Sequence, residues 1–406
     1  MKGGKKSDLL VNVATFPVAV LLNGMLLWQF VPPELLDGSR AAFVAALALI
    51  AQLVLALYLR SKPNRPARLL ISLMILQSLV FLFSLAIGDF NSYGVWKLQG
   101  FVIFALVPSV FILWNYASRP FALRTLFTQL FLLACVPLIL VVVNPEMLAP
   151  GFLRYLLNQM GIDVIGIERC LGVGALLGFI ALSQKELGML RKITCSVIVL
   201  GLCSLMVMIG ERGPILGTLA ALSYFFVVSR PSGTSFTTRW RILTLSLLVL
   251  STVVLLPMLL PRFSVDSLAS DGRWTYYSTA FNLLADNLVF GSGLGGFALD
   301  PTSGNDRSYF HNVFGEILTE TGFVGLICSV ALFLLPLAIL PLHVSKMPDE
   351  LRLIFRTAMS LFVFAFINAN VSGDLTTNYL LWVSFALLYC TRNKVRSSCS
   401  PLSGRA

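Results

Sequence analysis

Runs of about 20 apolar residues recur along this chain, and each is long enough to cross the hydrocarbon core of a bilayer as a helix. Twelve are legible, near residues 9–31, 41–59, 69–88, 98–117, 121–143, 164–183, 193–210, 213–229, 242–260, 322–342, 353–371 and 375–391. A span in lipid must satisfy its own backbone hydrogen bonds, which leaves helices as the natural reading of such runs. The predicted fold class is therefore an all-α integral membrane protein of about twelve transmembrane helices. Composition agrees: 57% of the 406 residues are hydrophobic and 12% charged, too little charge to cover a water-facing surface. The same figures exclude a disordered chain, a coiled coil and a disulfide scaffold. The first run is too long for the apolar part of a signal peptide and lacks a small-residue cleavage site, so it reads as an uncleaved span.

Lysine and arginine set the orientation. With twelve alternating spans and a cytoplasmic N-terminus, the cytoplasmic side carries 22 of the 30 basic residues and four acids, Asp8, Glu186, Asp349 and Glu350. The outer side carries eight basic residues and fifteen acids. A missed span would invert every later loop, so this contrast supports the topology as a whole, with both termini cytoplasmic. The net charge of +11 is thus an orientation signal rather than a nucleic-acid footprint.

The outer basic residues are Arg40, Lys97, Arg154, Arg169, Arg212, Arg262, Arg273 and Arg307. A guanidinium grips phosphate with a planar fork, but Arg40 and Arg154 read as side chains snorkelling to lipid headgroups. The seven cysteines form no CxxC pair and read as small packing residues. With two histidines in the chain, they assemble no zinc site, and neither a metal nor another cofactor is predicted.

Polar chemistry concentrates in two places. The segment 261–321 reads as a long outer loop subdomain, inserted between spans nine and ten of a single polytopic domain covering 1–406. Within it Trp274, Tyr277, Phe281, Leu284 and Leu288 recur at helical spacing, predicting an amphipathic helix with Arg273 in its first turn. The glycines 291, 293, 295 and 296 then mark a tight backbone turn; the Lys-Ser/Thr pair of a nucleotide loop is missing. From His311 a short helix is predicted to run to Thr321 and break at Gly322, with Asn312, Glu316 and Glu320 on one face. The second place is the tight turn Gly210-Glu211-Arg212-Gly213-Pro214, where a charged pair sits at the membrane boundary. No two outer acids are predicted to lie close enough to hold a metal.

Three of these pieces carry a resemblance. The turn GERGPILGTL, the Arg273-Trp274 pair followed by NLVFGSGLGGF, and His311-Asn312 followed after nine residues by Gly322-Phe-Val-Gly325 stand in the order seen in the O-antigen ligase and O-antigen polymerase superfamily. The chain resembles that superfamily of bacterial inner-membrane glycosyltransferases over roughly residues 205–330. The resemblance implies a glycan donor on undecaprenyl pyrophosphate, an active site facing the periplasm, and inversion at the anomeric carbon without a nucleotide sugar. A ligase would pass the glycan to lipid A–core; a polymerase would pass it to the next repeat unit. The ligase reading fits the pattern better.

In either case negative charge builds on the leaving pyrophosphate, and fixed arginines stabilise it; Arg212 and Arg273 are the expected pair. The attacking hydroxyl must lose a proton, and a histidine suits that role. His311 is expected to be the base, since His343 falls in a cytoplasmic connection. Arg169, Glu211, Asn312, Glu316 and Asp374 are expected to bind substrate, with Glu211, Glu316, Glu320 and Asp374 as alternative bases. Membrane lipids are the other expected partners. A transporter of lipids or sugars would suit twelve helices too, but no internal repeat supports it.

The charge contrast predicts that reporter fusions after residues 65, 190 and 235 give a cytoplasmic signal and fusions near 300 a periplasmic one. A periplasmic signal at 235 would overturn the assignment of both polar segments.

Overall fold

The computed structural model describes residues 15–20, 22, 65–88, 91–117, 119–144, 147, 155, 164–184, 187–228, 273–297, 310–338, 347–371, 373–375 and 377–399. The spans read at 41–59 and 242–260, most of the one at 9–31, and the loop portions 261–272 and 298–309 lie outside these residues. So do Arg40, Arg154, Arg262, Arg307 and His343.

The described elements are helices: α1 (Arg65–Ile87), α2 (Ser92–Tyr116), α3 (Ala122–Val143), α4 (Val164–Leu182), α5 (Met189–Ile209), α6 (Arg212–Ser223), α7 (Arg273–Asp286), α8 (Val313–Ala338), α9 (Asp349–Val371) and α10 (Tyr379–Cys399). Among the described residues there is no strand, and α1 to α5 and α8 are each long and apolar enough to cross a membrane. The described residues fit an all-α membrane protein.

Local sequence explains where these helices start, bend and stop. α2 begins at Ser92, six residues before the predicted start at 98. The Asn91 side chain caps it, accepting a hydrogen bond from the Gly94 N–H at 2.6 Å. Lys97 is therefore inside the helix and not in an outer connection, which corrects the reading of it as one of the loop cations. Farther along, α2 widens into a π-helical stretch at Phe101–Leu106, just ahead of Pro108, whose ring nitrogen cannot donate to the Phe104 carbonyl. α3 breaks its ladder at Cys135, two residues before Pro137, for the same reason. α5 ends at Gly210, which adopts φ 75° and donates to the Met206 carbonyl at 2.8 Å.

α8 is two helical pieces joined at Gly322, where φ 62° and ψ −163° leave the helical region. That conformation belongs almost solely to glycine. The break leaves carbonyls and N–H groups of α8 without their helical partners, and the glycine-rich segment after α7 takes them up. Ser292 and Gly293 donate to the Thr319 and Glu320 carbonyls at 2.9 and 3.0 Å, while Phe323 and Val324 donate to the Leu288 and Val289 carbonyls at 3.1 and 3.2 Å. Gly88 permits the same segment to lie against the end of α1, since a Cβ there would fall 2.6 Å from the Gly293 Cα.

Among the described spans α4 is the most enclosed. Its Gly174 and Gly178 face Ala134 of α3 and Val199 of α5, and Gly172 faces Phe364 of α9. Small residues let helices approach closely where lipid supplies no hydrophobic drive for association. A second contact centre surrounds Trp382 of α10, with Phe101 of α2 and Phe333 of α8 at ring distances of 5.2 and 5.5 Å. Leu76, Leu79 and Phe83 of α1 and Val197 and Leu200 of α5 are exposed, as side chains that face lipid are. Contacts of Lys97 with Glu316 and Glu320, of Ser84 with Glu320, of Glu211 with Glu168 and of Asn312 with Asn370 gather the starts of α2, α4, α6 and α8 and the ends of α1, α5 and α9 at one end of the bundle.

Gly322→Ala is expected to cost about 1–3 kcal/mol through backbone strain, lowering the thermal midpoint of detergent-purified protein. Gly188→Ala, where a Cβ would meet nothing within 4 Å, serves as the neutral control.

Candidate active site

The gathered end is polar, and its centre is a lysine. Lys97 of α2 is 0% exposed and its ammonium lies between two carboxylates of α8, Glu316 and Glu320, each 1% exposed. It is in direct contact with Glu316 and 2.6 Å from Glu320 Oε1. The same ammonium stands 4.7 Å from the centre of the Tyr93 ring, one helical turn earlier on α2. A charge at this depth is tolerated only with partners, and here two helices supply them. The expectation that no two outer acids lie close is thereby corrected: residues four apart on one helix face converge because a lysine cancels their repulsion. Ser84 of α1 adds a hydrogen bond to the Glu320 carbonyl at 2.7 Å.

Tyr93 extends the network to the turn between α9 and α10. Its hydroxyl donates to Asp374 Oδ2 at 2.8 Å, while Asp374 Oδ1 accepts from the Thr377 N–H at 2.8 Å. Arg169 of α4 grips the same turn, donating through Nη1 to the Thr377 carbonyl at 2.6 Å. Gly373 makes room for it, since a Cβ there would fall 2.5 Å from Arg169 Nη2. A cavity of about 30 Å³ beside Arg169, reaching Asn368 and Asn378, has space for about one water.

Glu168, next to Arg169 and 0% exposed, accepts the backbone N–H of Glu211 at 2.7 Å. It thus fixes the hairpin that presents Arg212, the first residue of α6. α6 in turn packs along α9, with Gly217 against Asn368. The sharp turn therefore rests on a buried carboxylate in a different helix.

His311 and Asn312 open α8. Asn312 Oδ1 accepts from the N–H groups of Phe314 and Gly315 at 3.1 and 3.0 Å, and its Nδ2 donates to Asn370 Oδ1 of α9 at 3.1 Å. His311 adopts φ 58° in the left-handed region, which histidine enters more readily than most residues. Its ring stacks on Tyr276 of α7 at 5.5 Å and 27°. α7 starts at Arg273, three residues before Tyr276, and the inward set Tyr276, Ala280 and Leu283 packs on Phe297 and Phe310. Of the apolar stripe expected on α7, Tyr277 meets the Phe310 ring edge-on at 5.0 Å, while Phe281 and Leu288 are exposed, Phe281 by 74%. The Arg273 side chain lies outside the described part of that helix.

A chain of contacts therefore connects Glu211, Arg169, Asp374 and Glu316, and α9 ties Asn312 to the same end. Arg212, Arg273 and His311 each stand at the start of a helix: α6, α7 and the approach to α8. Lys97, Tyr93, Tyr276 and Glu168 are candidate functional-site residues that no sequence motif assigns. The signal for Lys97 was available in Asn91, a capping residue six positions upstream that moves the lysine inside the span.

Comparison with protein families adds the decisive observation: residues 196–330 match the family model described as O-Antigen ligase. The chain is similar to the O-antigen ligase family over that segment. The match supports the O-antigen ligase superfamily, and the segment it covers includes Arg212, Arg273, His311 and Glu316. It does not separate ligase from polymerase. A search of curated proteins finds no match. The family implies a glycosyl-transfer enzyme of lipopolysaccharide biosynthesis, with a lipid-linked glycan donor and a lipid A–core acceptor in general terms. With the apolar helices, it fits a multi-pass inner-membrane protein.

Lys97→Met would strand two buried acids, a change that typically costs about 3–5 kcal/mol. The variant is expected to lose thermal stability sharply, and adding Glu316→Gln and Glu320→Gln is expected to recover most of it. Equal stability of the single and triple variants would mean that the acids do not depend on the lysine.

Proposed function

We propose that the protein is an O-antigen ligase-like enzyme that transfers a glycan from undecaprenyl pyrophosphate to lipid A–core at the periplasmic face. The observation that carries this reading is the placement of Arg212, Arg273 and His311. All three fall inside the matched segment, and each stands at the opening of a helix around one polar layer. Helix N-termini carry partial positive charge and favour anions, which adds to what two guanidiniums offer a pyrophosphate.

The acceptor hydroxyl oxygen attacks the anomeric carbon from the side opposite the pyrophosphate. The carbon–oxygen bond to the pyrophosphate breaks, and its electron pair leaves with the lipid. Arg212 and Arg273 stabilise the charge that accumulates there. His311 takes the hydroxyl proton. Attack from the opposite side inverts the anomeric centre. Arg169, Glu211 and Asn312 line the path of the substrates, while Glu316 acts on them through the buried pair with Lys97 and Asp374 through the turn it holds. A polymerase would use the same donor chemistry with a second lipid-linked repeat unit as acceptor. The basic character of the opposite face, where Arg68, Arg119, Arg124, Arg191 and Arg352 lie near helix ends, supports the periplasmic orientation.

Purified protein given a lipid-linked glycan together with lipid A–core or a second lipid-linked repeat tests the reading directly. Transfer to lipid A–core is expected; transfer only to the repeat unit would make it a polymerase, and no transfer to either would reject the reading. His311→Asn is expected to lose about 10²–10⁴-fold in single-turnover rate while still binding donor. A histidine base works only when neutral, so the wild-type rate should fall as pH drops through the imidazole range. Activity that persists to the carboxylate range would point to an acid instead. Arg212→Lys and Arg273→Lys should also be impaired, because an ammonium does not reproduce the bidentate fork.

A further inference from the structure

The opposite end of the bundle holds a different feature. A cleft of about 380 Å³ opens between α3, α4, α5 and α9. Its inner wall is apolar, formed by Phe127 and Phe131 of α3, Leu177 and Ile180 of α4 and Ile354 of α9. Arg124, Arg191 and Glu350 stand around it. The volume lies within the range of small-molecule sites, and the lining is amphipathic.

The charges are unbalanced. Arg124 is the third residue of α3, and Arg191 the third residue of α5, positions where the helix dipole already favours an anion and disfavours a cation. Glu350 answers one of them: its Oε1 lies 3.1 Å from Arg124 Nη1, with both side chains more than half exposed. Arg191 has no carboxylate partner among the described residues. Two guanidiniums and two helix N-termini thus face one carboxylate, an arrangement complementary to a single negative charge. On α5, Leu190 and Ile193, which bracket Arg191, are exposed, so the cleft adjoins a surface suited to lipid.

We propose that this cleft binds an anionic phospholipid: its phosphodiester meets Arg124 and Arg191, and part of one acyl chain lies along Phe127, Phe131 and Leu177. A free phosphate would satisfy the arginines but leave the apolar wall unused, which favours the lipid. Basic pockets between membrane helices are a recurrent means of holding lipid headgroups. The site is separate from the polar layer and does not depend on the transfer reaction.

Native mass spectrometry of the full-length, delipidated protein in neutral detergent tests this. Phosphatidylglycerol and phosphatidylcholine with matched acyl chains are added in turn, and inorganic phosphate or glycerol phosphate serves as competitor. Preferential retention of phosphatidylglycerol is expected, reduced roughly tenfold or more in Arg124→Gln/Arg191→Gln. Inorganic phosphate is expected to displace it only weakly. If the double variant does not fold, Arg191→Gln alone carries the test, since that side chain is exposed and makes no ion pair among the described residues. Equal retention of the two lipids, unchanged retention in the variant, or full displacement by inorganic phosphate would overturn the proposal.

Discussion

One ammonium between two carboxylates holds one end of this bundle together. Lys97, Glu316 and Glu320 are all buried, and each would be costly at that depth without the others. Because the lysine belongs to α2 and both acids to the first piece of α8, the cluster fixes that piece in rotation and depth. Everything at the mouth of the bundle then follows. Gly322 lets the second piece of α8 descend on its own line, and the glycine-rich segment satisfies the backbone groups exposed by the break. His311 and Asn312 sit directly upstream of the anchored piece.

Around this centre the polar contacts spread in one layer rather than forming separate sites. Tyr93 passes from the lysine to Asp374, Arg169 holds the Asp374 turn from α4, and the adjacent Glu168 holds the hairpin of Arg212. Many of the bonds join a side chain to a turn's backbone, which makes loop geometry a property of the packed helices. Rigid support of this kind is what charge stabilisation needs, because donors fixed beforehand do not reorganise during the reaction. The opposite end is built differently, with exposed arginines around an apolar cleft.

The six spans α1 to α5 and α8 were legible because a run of about 20 apolar residues has few alternatives in a bilayer. The break at Gly322 was legible too, since a glycine followed the run of helix formers from Val313. The start of α2 was missed because a lysine interrupts the hydropathy there, and its burial depends on acids more than two hundred positions away. Pairing over that distance leaves no local pattern. His311 could be singled out as the outer histidine, but its stacking on Tyr276 depends on how α7 docks, which periodicity did not reveal. The α7 stripe was read from spacing alone, and spacing does not say whether Tyr277 and Phe281 face the bundle or the lipid.

The central claim is that the polar layer around Lys97 receives the donor pyrophosphate. An electron cryomicroscopy structure of the protein with a bound, non-transferable lipid-linked pyrophosphate glycan tests it most directly. The account predicts phosphate oxygens at about 2.7–2.9 Å from the Arg212 and Arg273 guanidiniums, with the first sugar beside His311. A pyrophosphate bound away from both arginines, or held in the cleft at the opposite end, would contradict it.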